Sequence, residues 1–231
     1  MRLLRIALVL AALVALGLAA REWIRDNPGH NPWAPLDLRD PPGWATQRKL
    51  VALRDDAALC RAVLERSTVA FTVLGPAGDG PCRRADRTIL TEYPLSPAEP
   101  PTTCAVAAGL QIWLDRGVQP AARTIFGEEV AQIEHFGSYS CRRLYGGSEG
   151  PWSEHATGNA IDIAGFVLAD GRRISVLADW PGSGPEAKFL RQVRASACDA
   201  FGTVLSPDYN TAHADHFHLD QKAWGFSSVC R

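Results

Sequence analysis

The stretch SEHATGNAID, residues 153–162, places His155 and Asp162 seven residues apart, on either side of a Thr-Gly-Asn turn that disfavours a helix. It leads into the apolar run of residues 160–168, which predicts a β-strand. A second stretch, HADHFH at residues 213–218, contains three histidines within six residues. Four of the six histidines of the chain lie in these two stretches. We therefore interpret the two stretches as parts of one site.

The residue types in these stretches are those of a catalytic zinc site. Two histidines and one carboxylate leave a fourth coordination position free for water, whereas structural zinc sites are closed by four protein ligands. His216 and His218 share one face if the strand over residues 213–219 is regular. A single histidine or aspartate in a loop more often caps a turn or forms a hydrogen bond, and that alternative stays open for each residue taken alone.

The rest of the sequence predicts an α+β domain. Apolar residues at helical spacing predict helices over residues 49–65 and 103–115, and a third begins at Pro185 and runs to Ala197. Strand-like runs are found at residues 69–74, 88–93, 130–139, 160–168, 174–177 and 213–219, with a hairpin turn at Asp170-Gly171. The predicted fold is a small antiparallel sheet that carries the zinc site, flanked by helices and stapled by disulfides.

The N-terminus predicts export from the cytoplasm. Two arginines within the first five residues precede an apolar run over residues 6–20. Residues 1–25 are either a signal anchor or a cleaved signal peptide, and we favour the anchor because no A-x-A cleavage site is present and Trp23 suits a membrane interface. Residues 26–43 predict a Pro/Gly-rich linker, and residues 44–231 one domain. Both interpretations place that domain in the periplasm, and the first anchors it to the inner membrane.

Charge and cysteine content narrow the class of protein. A formal net charge of −1 argues against a nucleic-acid partner bound through its phosphates. The six cysteines are even in number and show no C-x-x-C spacing, which disfavours thiolate zinc sites and thioredoxin-like chemistry. In an oxidising compartment they predict three disulfides. We expect Cys198 to pair with Cys230, which would tie the last helix to the C-terminus.

The motif S-x-H-x-x-G-x-A-x-D, followed later by D-H-x-H, resembles the zinc peptidases that include D-Ala-D-Ala carboxypeptidases, penicillin-insensitive murein endopeptidase and the hedgehog signalling domain. From about residue 44 onward, the chain resembles more closely the bacterial extensin-like C-terminal domain family, through Tyr-Ser-Cys-Arg at residues 139–142 and the terminal His-x-x-His-x-His. Plant extensins are Ser-Pro repeat glycoproteins, and the sequence contains no such repeat. A structural wall protein is therefore not supported.

The resemblance implies a ligand set and two alternatives for the general base. His155, Asp162 and His218 match the zinc ligands of these peptidases. The base is either the carboxylate three residues before the last ligand, Asp215, or the histidine two residues before it, His216. Strand alternation favours His216, because it would share a face with His218 while Asp215 points away. Asp215 is then either the alternative base or the partner that orients His216.

The resemblance also implies residues that contact the substrate. Arg142 resembles the arginine that stabilises the scissile carbonyl or binds a substrate carboxylate, although Arg143 beside it leaves this assignment open by one position. Ser153 is expected to hydrogen-bond the substrate or a metal ligand. His213 is expected either to contact the substrate or to be a surface histidine.

These expectations predict a zinc-dependent peptidase that cleaves peptidoglycan stem peptides or cross-links at the cell envelope. Two other classes stay open: a zinc-stabilised cell-wall or protein-binding module without turnover, as in the hedgehog domain, and a disulfide-stabilised structural protein of the envelope. The presence of a candidate base and a candidate arginine favours the enzyme, because a binding module needs the ligands alone.

Overall fold

The computed structural model describes residues 2–222, 224 and 228–231. Its α-helices are α1 (Arg2–Asp26), α2 (Thr46–Ala52), α3 (Ala57–Arg66), α4 (Cys104–Trp113), α5 (Gln119–Phe126), α6 (Val176–Asp179) and α7 (Pro185–Ala197). Its strands are β1 (Phe71–Val73), β2 (Thr88–Leu90), β3 (Leu95–Ser96), β4 (Val130–Gly137), β5 (Ala160–Leu168), β6 (Arg173–Ser175), β7 (Thr203–Leu205), β8 (Phe217–Asp220) and β9 (Val229–Cys230). The α+β class is therefore confirmed.

Two sheets form within the described part of the chain. Strands β1 and β2 make a two-stranded antiparallel sheet, and the larger sheet has seven strands in the order β3-β4-β5-β8-β7-β9, with β6 also paired to β5. The large sheet is mixed, because β3 pairs with β4 and β7 pairs with β9 in parallel. The prediction of a small antiparallel sheet was therefore wrong for the sheet that carries the candidate site. The two parallel additions, β3 and β9, are two residues long, too short to show alternation in a sequence.

Helix α4 is central to the core. Nine of its ten residues are buried, and most of them are alanine or another small residue, which lets the helix approach its neighbours closely. A Cβ on Gly109 would lie 2.6 Å from Gln221 Nε2 and 2.9 Å from the Phe201 ring, so a larger residue would displace these buried side chains. At its C-terminal end, the Trp113 ring lies 6.0 Å from Phe166 of β5. This ring contact joins α4 to β5, the strand that carries Asp162.

The predicted helix over residues 49–65 is two helices. Helix α2 passes into a 3₁₀ turn at Leu53–Asp55, and Asp56 then begins α3 by accepting a hydrogen bond from the Leu59 amide at 2.9 Å. The prediction of one helix was wrong here because Asp56 favours a helix N-cap, and this signal interrupts an otherwise helical spacing of apolar residues.

Three disulfides join the described elements. They are Cys60–Cys104, which ties α3 to α4, Cys82–Cys141, which ties two loops, and Cys198–Cys230, which ties the end of α7 to β9. The predicted number of disulfides and the predicted Cys198–Cys230 pair are confirmed.

The N-terminal region contains a long helix and a folded connection. Helix α1 is long and apolar enough to cross a bilayer by length and composition, a property that a signal sequence shares. In the predicted linker, Leu36 and Leu38 are buried in the core, and the Leu38 amide donates to Ser67 Oγ at 2.9 Å. The folded region therefore extends N-terminally beyond the predicted boundary at residue 44.

Candidate metal centre

Three side chains from three parts of the fold meet at the centre of the large sheet. Asp162 on β5 and His218 on β8 are directly opposite each other in the antiparallel register, so their side chains lie on one face. His155 reaches them from the short 3₁₀ helix Glu154–Thr157 that precedes β5. The structure thus brings together the three residues that the sequence predicts as metal ligands.

The potential ligand atoms of these residues converge. His155 Nε2 lies 3.1 Å from Asp162 Oδ1 and 3.1 Å from His218 Nδ1, and His218 Nδ1 lies 2.9 Å from Asp162 Oδ1. Ligand atoms around a tetrahedral zinc ion, each about 2.0–2.1 Å from the metal, are separated by about 3.3 Å. An adjustment of a few tenths of an ångström would let all three atoms bind one ion.

The outer nitrogens of both histidines hold the rings in the orientation that metal binding needs. His155 Nδ1 donates to the carbonyl of Ser138 at 3.1 Å, and His218 Nε2 donates to Asp220 Oδ2 at 2.9 Å. In the neutral form that binds a metal, the outer nitrogens keep the protons, and the inner nitrogens then present lone pairs toward Asp162. Two lone pairs and a carboxylate oxygen therefore face one point, and this donor set fits a divalent cation.

The electrostatics of the cluster favour bound positive charge. Burial opposes ionisation of Asp162, but hydrogen bonds from His155 and His218 outweigh it and hold the pKa of the carboxyl well below its usual range. Burial likewise opposes protonation of His218, yet its hydrogen bonds to Asp162 and Asp220 raise the pKa of the imidazole to about 9. The buried carboxylates thus attract a cation, either a proton or a metal ion.

Local capping sets the position of His155. The Ser153 side chain accepts a hydrogen bond from the His155 amide at 3.3 Å and begins the 3₁₀ helix. Gly158 ends it in a left-handed conformation, with φ of +73°, which glycine adopts without the strain of a Cβ. Ser153 was predicted to hydrogen-bond the substrate or a metal ligand, and the structure places its hydroxyl at the backbone amide of His155, a candidate ligand.

His216 lies beside the cluster, although it precedes β8 and its direction is therefore not set by strand alternation. The strand predicted over residues 213–219 begins only at Phe217, because residues 211–213 form a 3₁₀ turn. That prediction was wrong at its N-terminal end. His216 Nε2 nevertheless lies 3.5 Å from Asp162 Oδ1, and His216 Nδ1 donates to Asp215 Oδ1 at 2.8 Å. The structure thus brings His216 to the cluster, with Asp215 on the outer side of its ring.

The cluster opens into a cavity of about 390 Å³. Arg142 lines this cavity, whereas Arg143 packs over the Trp152 ring at 4.5 Å and hydrogen-bonds the Gly150 carbonyl. Of the two arginines, Arg142 is the one that lines the cavity, and its role toward a substrate stays a prediction.

His213 also lines the cavity, where its Nδ1 donates to Asn210 Oδ1 at 2.7 Å. Burial, followed by the nearby His216 and His218, lowers the pKa of His213 to about 4. Its ring is consequently neutral near pH 7.

The family model described as extensin-like protein C-terminus matches residues 58–231. The chain belongs to this family. The match begins within α3 and includes every candidate site residue, so the predicted extensin-like resemblance is confirmed. No curated protein and no solved structure matches the chain at a significant level. The relationship of this extensin-like domain to zinc peptidases stays a prediction.

The extensin-like domain also contains site residues that sequence reasoning missed. Asp220 accepts a hydrogen bond from His218. The sequence did contain a signal for this contact, because residues 218 and 220 lie on the same face of a strand. The Ser138 carbonyl that orients His155 is a backbone group without any sequence signal. The apolar and aromatic part of the cavity lining was also missed and is formed by Leu144, Trp152, Leu205, Tyr209, Trp224 and Val229.

Proposed function

We propose that this extensin-like domain is a zinc-dependent peptidase that hydrolyses peptidoglycan stem peptides or cross-links in the periplasm. The observation that carries the proposal is the convergence of His155 Nε2, Asp162 Oδ1 and His218 Nδ1 within about 3 Å of one another at a cavity wall. Three protein ligands in an accessible cavity match a catalytic zinc site, whereas a structural site would be closed by a fourth.

These three residues would hold the metal, and the Asp220 carboxylate and the Ser138 carbonyl would keep the two imidazoles aligned. A zinc ion in this place supplies a Lewis acid that activates water and polarises a peptide carbonyl. The aromatic wall of the cavity excludes bulk water from one side of the site.

His216 is proposed as the general base. Its Nδ1 proton is donated to Asp215, so its Nε2 presents a lone pair 3.5 Å from Asp162 Oδ1, at the edge of the cluster. From there, His216 takes a proton from the attacking water and delivers it to the leaving amine. The Asp215 carboxylate orients the ring and stabilises its charged form, as a carboxylate partner does for a catalytic histidine.

Arg142 and His213 are proposed to contact the substrate. The guanidinium of Arg142 faces the cavity and can donate two hydrogen bonds to a developing oxyanion or to a substrate carboxylate. His213 is neutral near pH 7 and can therefore hydrogen-bond a peptide group without adding charge to the site. Ser153 acts through His155, because its hydroxyl caps the turn that carries this ligand.

The experiment is the digestion of purified muropeptides by the full-length chain, with the products identified by mass. His216→Ala should retain the metal and lose about 10²–10⁴-fold in rate, the usual contribution of a general base. The matched control is His135→Ala, because this histidine lies outside the cluster and hydrogen-bonds the Ala98 carbonyl. It should retain both metal and activity.

Two results would change the proposal. If Asp215→Asn abolished turnover while His216→Ala had little effect, the carboxylate would be the base. If the metal-loaded wild-type protein cleaved no muropeptide at any pH, the domain would be a zinc-stabilised binding module instead of an enzyme.

A further inference from the structure

Three tryptophans at the junction between α1 and the domain are exposed. The exposed fractions are 53% for Trp23, 85% for Trp33 and 61% for Trp44. Trp113 and Trp180, in contrast, are buried in the domain. Exposed apolar side chains that cluster in one region indicate a surface that contacts a partner.

The junction is folded rather than extended. The Ala45 amide donates to the Gly29 carbonyl at 3.0 Å, and Lys49 Nζ donates to the Pro28 carbonyl at 3.0 Å. A Cβ on Gly43 would lie 2.5 Å from the Gly29 carbonyl carbon, so the two backbone segments are in direct contact. We call residues 27–46 the membrane-proximal segment. Its contacts fix where its tryptophans lie relative to the end of α1.

His30 links the parts of the chain that carry the three tryptophans. The rings of Trp23 and His30 are 5.2 Å apart, and the Trp44 amide donates to His30 Nδ1 at 3.5 Å. Trp33 follows His30 by three residues, which limits its separation to about 11 Å along the chain. Trp33 and Trp44 are thus both tied through His30 to the end of α1.

The position of Trp23 on α1 indicates what covers this surface. Trp23 lies just after the apolar run of residues 6–20. Interfacial tryptophans are found at this position in membrane-spanning helices. The headgroup layer on each side of a bilayer is about 5–8 Å thick. The Trp44 amide, reached from Trp23 through His30, lies within about 10 Å of the Trp23 ring and hence in this layer or against it. The Trp33 backbone lies at most about 16 Å plus the length of the His30 side chain from that ring.

We propose that the membrane-proximal segment docks on the lipid headgroup layer through Trp33 and Trp44. The domain then rests directly on the bilayer that holds α1, instead of moving on a flexible tether. Arg21 lies near Trp23 and suits lipid phosphates, whereas Arg25 is paired with Glu22 and Asp26. This inference is independent of the peptidase proposal, because it involves none of the candidate site residues.

The test uses the full-length chain in nanodiscs whose lipids carry bromine near the headgroup end of the acyl chains, where bromine quenches nearby tryptophans. If the seven tryptophans emitted equally, quenching should remove about two fifths of the emission from the wild type and about one fifth from a Trp33→Phe/Trp44→Phe variant. Discs without bromine provide the baseline. The matched control is Trp180→Phe, because this ring packs against Phe217 in the core and should not contribute to lipid-dependent quenching.

Two results would contradict the docking on the headgroup layer. Emission from Trp33 and Trp44 that is insensitive to brominated lipid but quenched by aqueous iodide would contradict the proposal and favour a protein partner. Recovery of a chain that has lost α1 by intact mass, and that does not bind the discs, would also contradict it.

Discussion

At the scale of single residues, the candidate centre depends on which nitrogen of each histidine faces inward. His155 uses Nε2 because its Nδ1 is held by the Ser138 carbonyl, and His218 uses Nδ1 because its Nε2 is held by Asp220. Because the two rings use different nitrogens, His155 on a short loop and His218 on a strand can direct lone pairs to the same point. The outer partners are therefore as important for the geometry as the ligands.

Asp220→Asn should weaken metal binding without abolishing it. The amide oxygen of asparagine can still accept a hydrogen bond from His218. The loss of the negative charge of Asp220 nevertheless makes the imidazole a poorer ligand. We expect an affinity about 10–100-fold lower, the usual effect of changing such a partner. Competition with a chelator of known affinity measures this change.

The matched control for that experiment is Asp170→Asn, which makes a similar change in the exposed turn between β5 and β6. It should leave the affinity unchanged. An affinity of Asp220→Asn equal to that of the wild type would show that Asp220 does not support His218.

The site could be predicted from the sequence in part. Residue type and spacing indicate a site formed by His155, Asp162 and the histidine-rich stretch of residues 213–218. The choice of His218 as the third ligand came from the resemblance to zinc peptidases. The choice between Arg142 and Arg143 required the structure, because neighbouring residues differ only in the direction of their side chains. The Ser138 carbonyl could not be predicted at all, since every residue has a carbonyl.

At the scale of secondary structure, long periodic elements were predicted with their boundaries, short strands such as β1 and β2 were predicted too long, and the two-residue strands were not predicted. Helix α7 and strand β5 were predicted with the boundaries that the structure shows, because each has a sustained apolar pattern. Strands β3 and β9 are two residues long, and their pairing depends on the tertiary fold. The predicted strand over residues 213–219 begins too early, because its first residue ends the 3₁₀ turn at Thr211–His213 and β8 begins only at Phe217.

Asp56→Ala should destabilise the domain by about 1 kcal/mol, because it leaves the Leu59 amide at the start of α3 without its cap. Urea-induced unfolding followed by circular dichroism measures this change in the free energy of unfolding. Asp55→Ala is the matched control, because Asp55 lies one residue earlier and is exposed. Equal stability of the two variants would show that the cap at Asp56 is unimportant.

At the scale of the whole molecule, stability should fall at alkaline pH because of Tyr93. Burial, and secondly Asp115, raises the pKa of this phenol well above its ordinary value of 10.0, and its hydroxyl donates to the Leu110 carbonyl at 2.8 Å. The pKa of Tyr93 is higher in the folded state than in the unfolded state. The stabilisation by the buried neutral phenol is therefore complete below about pH 10 and decreases as the pH rises above it.

Tyr93→Phe should therefore be about 1 kcal/mol less stable than the wild type at pH 7, through the lost hydrogen bond. The difference should shrink above about pH 10, because only the wild type loses stability by ionising this residue on unfolding. Urea midpoints between neutral pH and pH 10.5 test this expectation. A difference that stays constant across this range would contradict the assignment.

At the same scale, the central proposal is that the fold brings a loop and two central strands together to form one metal centre. The most direct test is the zinc content of the purified full-length chain, measured by elemental analysis together with the variants His155→Ala, Asp162→Ala and His218→Ala. We predict one zinc per wild-type chain and loss of the metal in each variant, with His135→Ala retaining it. Full zinc occupancy in all three variants, or none in the wild type after exposure to zinc, would contradict the claim.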